Sequence, residues 1–164
     1  MRQIILIAHN LRSTHNVGSL LRTAEGLGVE RVLLTGYTPY PAMSDDQRLP
    51  HIAQKLDKQI AKTALDAQKL QAWEHYDDIL EALTTLKQQG YAIVALEQTP
   101  TSLDLSTFQA PAKLAIIVGR EVEGLEPELL SLCDQAIQIT MFGGKESFNV
   151  VQAAAMALYH LRFT

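Results

Sequence analysis

Two uninterrupted apolar runs, Ile4-Ile5-Leu6-Ile7-Ala8 and Leu114-Ala115-Ile116-Ile117-Val118, constrain this chain more than any other feature. Neither alternates apolar with polar residues, so as strands both would be buried on both faces. That is the condition of a parallel sheet covered by helices. Further β-rich runs at Arg31–Thr35, Tyr91–Leu96 and Ala136–Thr140 alternate with helical patterns. The expected fold is therefore α/β, a mostly parallel sheet with helices on both faces. At 164 residues the chain is expected to be a single domain, 1–164, long enough to bury a substantial core.

The first helix is expected to start at Asn16 as N-cap, with Val17, Leu20, Leu21, Ala24 and Leu27 forming its apolar stripe. Gly28 stands where a left-handed cap would end it. A second helix is predicted from about Asp78 to Gln89, stopped by Gly90, and a short one from Glu126-Pro127. Pro39, Pro41 and Pro50 mark a loop, followed by a lysine-bearing helix through about Leu65. The last helix runs from Val150 and is built largely of small residues.

A net charge of −4 and a pI near 5.7 argue against a strong, non-specific nucleic-acid binder, but leave room for a local basic patch. The single Cys133 rules out an internal disulfide framework and a cysteine metal cluster. The five histidines have no metal-ligand spacing, so no metal is expected. No apolar run approaches the length of a membrane span, and no signal-peptide pattern follows Met1-Arg2. A cytoplasmic location is the expectation.

Three segments carry chemistry. The polar stretch His9–Asn16 follows the first strand, where open α/β sheets place ligands, and leads into a helix bearing Arg22. Gly18, Arg22 and Gly26 are spaced by four, so Arg22 projects from a face of minimal side chains with room beside it. A helical arginine is ordinarily just solvated; the small face and the polar loop are what single this one out. Gly119-Arg120-Glu121-Val122-Glu123-Gly124 is an acidic, glycine-bounded turn after a strand, suited to ribose hydroxyls or a cation, and equally to plain solvation. The loop Met141–Asn149 has two adjacent glycines for close backbone approach, with Ser147 and Asn149 beside the donors at a helix start. Ser147 lacks the context of a nucleophile and reads as a hydrogen-bonding or capping group. No dinucleotide fingerprint is present, and a Walker A loop ending at Gly144-Lys145 would need glycine where Ile139 stands.

Together these segments resemble the three motifs of the SPOUT-class RNA 2′-O-ribose methyltransferases, in the TrmH (SpoU) branch. The pattern N-x-G-x-x-x-R-x-A is met by Asn16, Gly18, Arg22 and Ala24, and G-x-E-x-x-G by Gly119, Glu121 and Gly124. The third, I-x-M-x-G followed by S-x-N, is met by Ile139, Met141, Gly143, Ser147 and Asn149. Thr140 stands where the family often has proline, Val151 where it often has a small or hydroxylated residue, and Phe148 replaces the usual leucine.

The resemblance implies a C-terminal trefoil knot, which nothing in composition or periodicity predicts and which general topology rules disfavour. It implies methyl transfer from S-adenosyl-L-methionine to a ribose 2′-hydroxyl in structured RNA, tRNA or rRNA. Arg22 would be catalytic, with Asn16 holding it or a phosphate and Glu121 supporting the cofactor loop. Leu96, Gly119, Gly124, Ile139, Met141, Ser147, Phe148 and Asn149 would surround the cofactor. It also implies a homodimer through the first and last helices. Neither a membrane nor DNA is expected as a partner, and no separate RNA-binding domain is expected. Lys55, Lys58, Lys62 and Lys69 fall on one stripe if their helix persists; such a stripe is ordinarily a solvated face, and with Arg12 and Arg48 it is the best candidate for RNA phosphate contacts. The alternative is a non-catalytic RNA-binding or assembly protein that retains the pocket.

Overall fold

The two apolar runs lie side by side in the middle of a seven-stranded sheet. The structure, a computed structural model, describes residues 1–164. The strands are β1 (Gln3–His9), β2 (Arg31–Thr35), β3 (Trp73–Tyr76), β4 (Ala92–Leu96), β5 (Leu103–Asp104), β6 (Lys113–Val118) and β7 (Gln135–Gln138). Their order is β3-β2-β1-β6-β4-β7-β5, and every pairing is parallel. The register sets Ile4 beside Leu114 and Ala8 beside Val118.

The helices are α1 (Thr14–Gly26), α2 (Pro50–Ala64), α3 (Ala67–Leu70), α4 (Ile79–Gln88), α5 (Pro127–Leu130) and α6 (Val150–Phe163). Alternate residues of the central strands feed two cores. Ile4, Leu6, Ala8, Leu114 and Ile116 pack with Leu20 and Leu21 of α1, Ile60 of α2 and Leu158 of α6. On the other face Ile5, Ile7, Ala115 and Ile117 pack with Leu83 and Leu86 of α4 and Leu129 of α5. This double burial is why the two runs carry no polar residue.

Four sequence expectations are corrected. Ser13, not Asn16, caps α1: its hydroxyl accepts from the Asn16 backbone N–H at 3.1 Å, which leaves the Asn16 side chain unused by the helix. The strand expected through Thr140 stops at Gln138. β3 was not anticipated, because Trp73-Glu74-His75-Tyr76 is a half-buried edge segment without a clear alternation. The lysine stripe is broken: Leu65 and Asp66 adopt left-handed conformations that end α2, and Lys69 instead pairs with Asp66 at 2.7 Å.

Gly28 closes α1 as expected, with φ +63°. The Val29 N–H reaches the Ala24 carbonyl and the Gly28 N–H that of Glu25, the paired bonds of a Schellman cap. Arg162 of α6 then donates to the carbonyls of Leu27, Gly28 and Arg2, fastening the end of α6 to the end of α1. Because all strands run one way, the loops that follow them gather on a single edge of the sheet.

Candidate active site

The loop after β6 is a tight turn. The Gly124 N–H donates to the Arg120 carbonyl at 3.1 Å and Arg120 Nε returns a bond to the Gly124 carbonyl at 3.2 Å. Gly124 sits at φ +68°, a conformation costly for any other residue. At the start of the turn a Cβ on Gly119 would lie 2.5 Å from the Leu125 side chain, which is buried there. Arg120 pairs with Glu126 at 3.4 Å, and the Asn10 amide donates to the same carboxylate at 3.4 Å. Burial alone would raise the Glu126 pKa, but the backbone hydrogen bond, Arg120 and His9 outweigh it and hold the carboxyl below its usual range. Burial lowers the His9 pKa against the opposing pull of Glu126, and its Nδ1 is hydrogen-bonded to Thr35 at 2.9 Å.

The Asn16 side chain links the three motif loops. Its amide donates to Glu121 Oε1 at 3.0 Å, and its carbonyl accepts from the Asn149 amide at 3.5 Å. Asn149 also caps α6, with Oδ1 accepting from the Val151 N–H at 2.9 Å. Arg12, by contrast, reaches Glu123 only at 3.8 Å in an exposed pair, which contributes little.

Behind these loops lies a cavity of about 290 Å³ between the ends of β4, β6 and β7. Of the residues singled out in the sequence, Leu96, Gly119, Glu121, Gly124, Ile139, Ser147 and Phe148 line it. Met141 lines an adjoining depression that shares Ile139, Gln138 and Glu146 with the cavity. Asn16 and Asn149 are outside the walls but bonded to the rim. Arg22 stands exposed on α1, six residues beyond Asn16, and is not a wall residue. Lys55 and Lys62 are exposed on α2. Thr63, next to Lys62, donates to the His15 carbonyl at 2.7 Å, so this end of α2 abuts the start of α1.

Arg48 is engaged elsewhere. Its guanidinium donates to Asp46 and to the carbonyls of Tyr40 and Pro41, and lies 3.5 Å above the Tyr40 ring, which itself stacks on His75. It rivets the loop between β2 and α2 and is not presented to a phosphate. The sequence reading also missed Glu97 and Gln98 after β4, and Glu146, all at the cavity. The rule that ligands sit beyond the carboxyl ends of parallel strands would have flagged the first two.

The wall chemistry is mixed. Leu96, Val118, Ile139 and Phe148 form apolar surface, while Glu97, Glu121, Glu123 and Glu146 outnumber the single cation Arg120. Such a site suits a flat apolar ring joined to hydroxyls and to positive charge. No helix is long and apolar enough to cross a membrane, and no group of three or more acidic, histidine or cysteine side chains could hold a metal ion.

The sequence profile of the SpoU rRNA Methylase family matches residues 3–159. A tRNA (guanosine(18)-2'-O)-methyltransferase of Borreliella burgdorferi is 26% identical over 160 residues, covering 96% of this chain and 65% of that protein. The chain thus spans less than two thirds of that relative. Among solved structures, the Aquifex aeolicus TrmH/SpoU tRNA modifying enzyme superposes with a TM-score of 0.79 at 22% identity, over 99% of this chain and 75% of that one. The SpoU methyltransferase AviRb of Streptomyces viridochromogenes, solved in complex with AdoMet, gives 0.79 at 19% identity, over 98% and 57%. At these identities the likeness is one of fold.

Proposed function

The chain belongs to the SpoU rRNA Methylase family, and from that premise we propose that it transfers a methyl group from S-adenosylmethionine to a ribose 2′-hydroxyl of structured RNA, tRNA or rRNA. The observation that carries this reading is the Glu121–Asn16–Asn149 chain of side chains, which joins all three motif loops at the mouth of one cavity. The donor set fits the cofactor: apolar walls for its adenine, carboxylates for its ribose hydroxyls and its positive charge. When bound, the cofactor supplies the activated methyl group.

The chain's own task is to position the hydroxyl and stabilise the charge that develops on it. Arg22 is the catalytic residue. Its guanidinium stays protonated at ordinary pH, so it stabilises the developing alkoxide instead of acting as a base, and an RNA phosphate helps to take the proton. Asn16, fixed through Glu121 and Asn149, orders the first turn of α1, the helix from which Arg22 projects further along. Glu121 supports the cofactor loop, and Arg12, Lys55 and Lys62 meet RNA phosphates. Residues 1–164 act as one methyltransferase domain. The trefoil knot belongs to the same reading, supported by the insertion of β7 between the earlier strands β4 and β5.

Calorimetry with S-adenosylmethionine tests the reading: one saturable site per chain is expected, with methyl incorporation into 2′-O positions of RNA. Binding of RNA without binding of the cofactor would favour the non-catalytic assembly protein and overturn the proposal.

A second copy of the chain completes the site. Met156, Tyr159 and Phe163 form an exposed apolar stripe on α6, 37%, 60% and 71% accessible, whereas the small face of α1 expected to leave room beside Arg22 is taken up at Gly18 by α2. Tyr159→Glu combined with Phe163→Glu is expected to convert a sedimenting dimer into a monomer; an unchanged sedimentation coefficient would place the interface elsewhere.

A further inference from the structure

We propose that Glu97 is a positioning residue of this site: its carboxylate latches the Gly119–Gly124 turn to the end of β4, and so delivers Glu121 to Asn16. The role in catalysis rests on the methyltransferase reading; the latch itself does not.

Glu97 leaves β4 with its backbone fixed on both sides. Its N–H donates to the Ile137 carbonyl at 2.9 Å, and its own carbonyl accepts from the Ser102 hydroxyl at 2.7 Å. Ser102 is in turn held by the Thr99 N–H at 2.9 Å. From this base both carboxylate oxygens are committed. Oε1 accepts from the Gln98 N–H at 2.9 Å, and Oε2 accepts from the Leu125 N–H at 3.0 Å, across 28 residues of sequence. Hydrogen bonds to an ionised acceptor are the stronger class, and this one joins the loops that follow the paired strands β4 and β6, beyond the last residues of their ladder.

The turn is built around the carboxylate. A Cβ on Gly124 would fall 2.2 Å from Glu97 Oε2, so glycine is required there by this contact as well as by its positive φ. Leu125 is buried beneath Gly119. The acidic turn is therefore pinned at one end by the Leu125 side chain and at the other by Glu97. Glu121 lies between these two pins, and its bond to Asn16 depends on where they hold it. Without the carboxylate the Leu125 N–H loses its partner and that end of the turn is released.

Amide hydrogen exchange on the full-length protein without cofactor tests the latch. Glu97→Ala should speed exchange at Leu125 by about tenfold or more relative to the central-strand amide of Ile116, and Glu97→Gln, whose side-chain carbonyl can still accept, should restore much of the protection. In methyl transfer Glu97→Ala should lower kcat by roughly 100-fold, the order expected from about 1 Å of misplacement, with the KM for RNA altered less than about threefold. Gly124→Ala should reproduce the loss of kcat, and adding it to Glu97→Ala should cost less than it does alone, because the clash has gone. Unchanged Leu125 exchange in Glu97→Ala would overturn the latch. Fast exchange with wild-type kcat would overturn its role in positioning. Fast exchange in a protein that never methylates RNA would instead reject the functional reading and leave the latch standing.

Discussion

Arg22→Ala is expected to lower methyl transfer by about 10²–10³-fold or more, the loss typical of removing one donor aimed at developing negative charge. Cofactor affinity should change less than about twofold, since Arg22 is not part of the cavity wall. Stability should change by no more than about 0.5 kcal/mol, because the side chain is exposed on α1 and leaves no buried group unpaired. These expectations separate catalysis from architecture: kcat collapses while the melting curve and the cofactor isotherm hold. Arg22→Lys should recover little, because a point charge lacks the planar fork that can bridge an alkoxide and a neighbouring phosphate. Single-turnover methylation with a fixed RNA is the measurement, and a wild-type rate in Arg22→Ala would sink the assignment.

The sequence made the sheet legible because burial on both faces leaves a plain signature. IILIA and LAIIV could be little else than central parallel strands, and the structure pairs them in register. The edges were less readable. β3 and β5 are short and half-exposed, so neither hydrophobic run length nor alternation announces them. Asn16 reads as a cap for a related reason: Ser13 and Asn16 are both competent caps, and only tertiary contact with Glu121 decides which side chain is released for other work. Arg48 reads as a surface cation because, although Asp46 and Tyr40 are near it in sequence, only the fold of the loop closes them over it. The position of Glu97 at a strand end is legible, but its latch is not, because its partner, Leu125, is distant in sequence and contributes only a backbone N–H. What local pattern conveys is the layer structure and the motif glycines; what it omits is which polar side chain meets which.

Gly18→Ala illustrates how a motif glycine can serve packing. A Cβ there would lie 2.2 Å from the Ile60 carbonyl oxygen, 2.3 Å from Thr63 Oγ1 and 2.9 Å from the Ala64 nitrogen, so α2 crosses α1 directly over this residue. The Thr63 side chain can turn away, but the backbone of α2 can only move bodily. The change is expected to destabilise by about 1–3 kcal/mol net, overpacking exceeding the roughly 1 kcal/mol that alanine gains over glycine in a helix. The same substitution two turns later, Gly26→Ala, meets nothing within 4 Å and should move stability the other way by up to about 1 kcal/mol. The opposite signs, read from urea midpoints at one protein concentration, attribute the Gly18 effect to the helix crossing and not to glycine chemistry. Function should follow, because the Thr63–His15 bond ties α2 to α1 one residue before Asn16, and Lys62 moves with it. If Gly18→Ala proved as stable as Gly26→Ala, the close crossing would not be what the first motif's glycine is for.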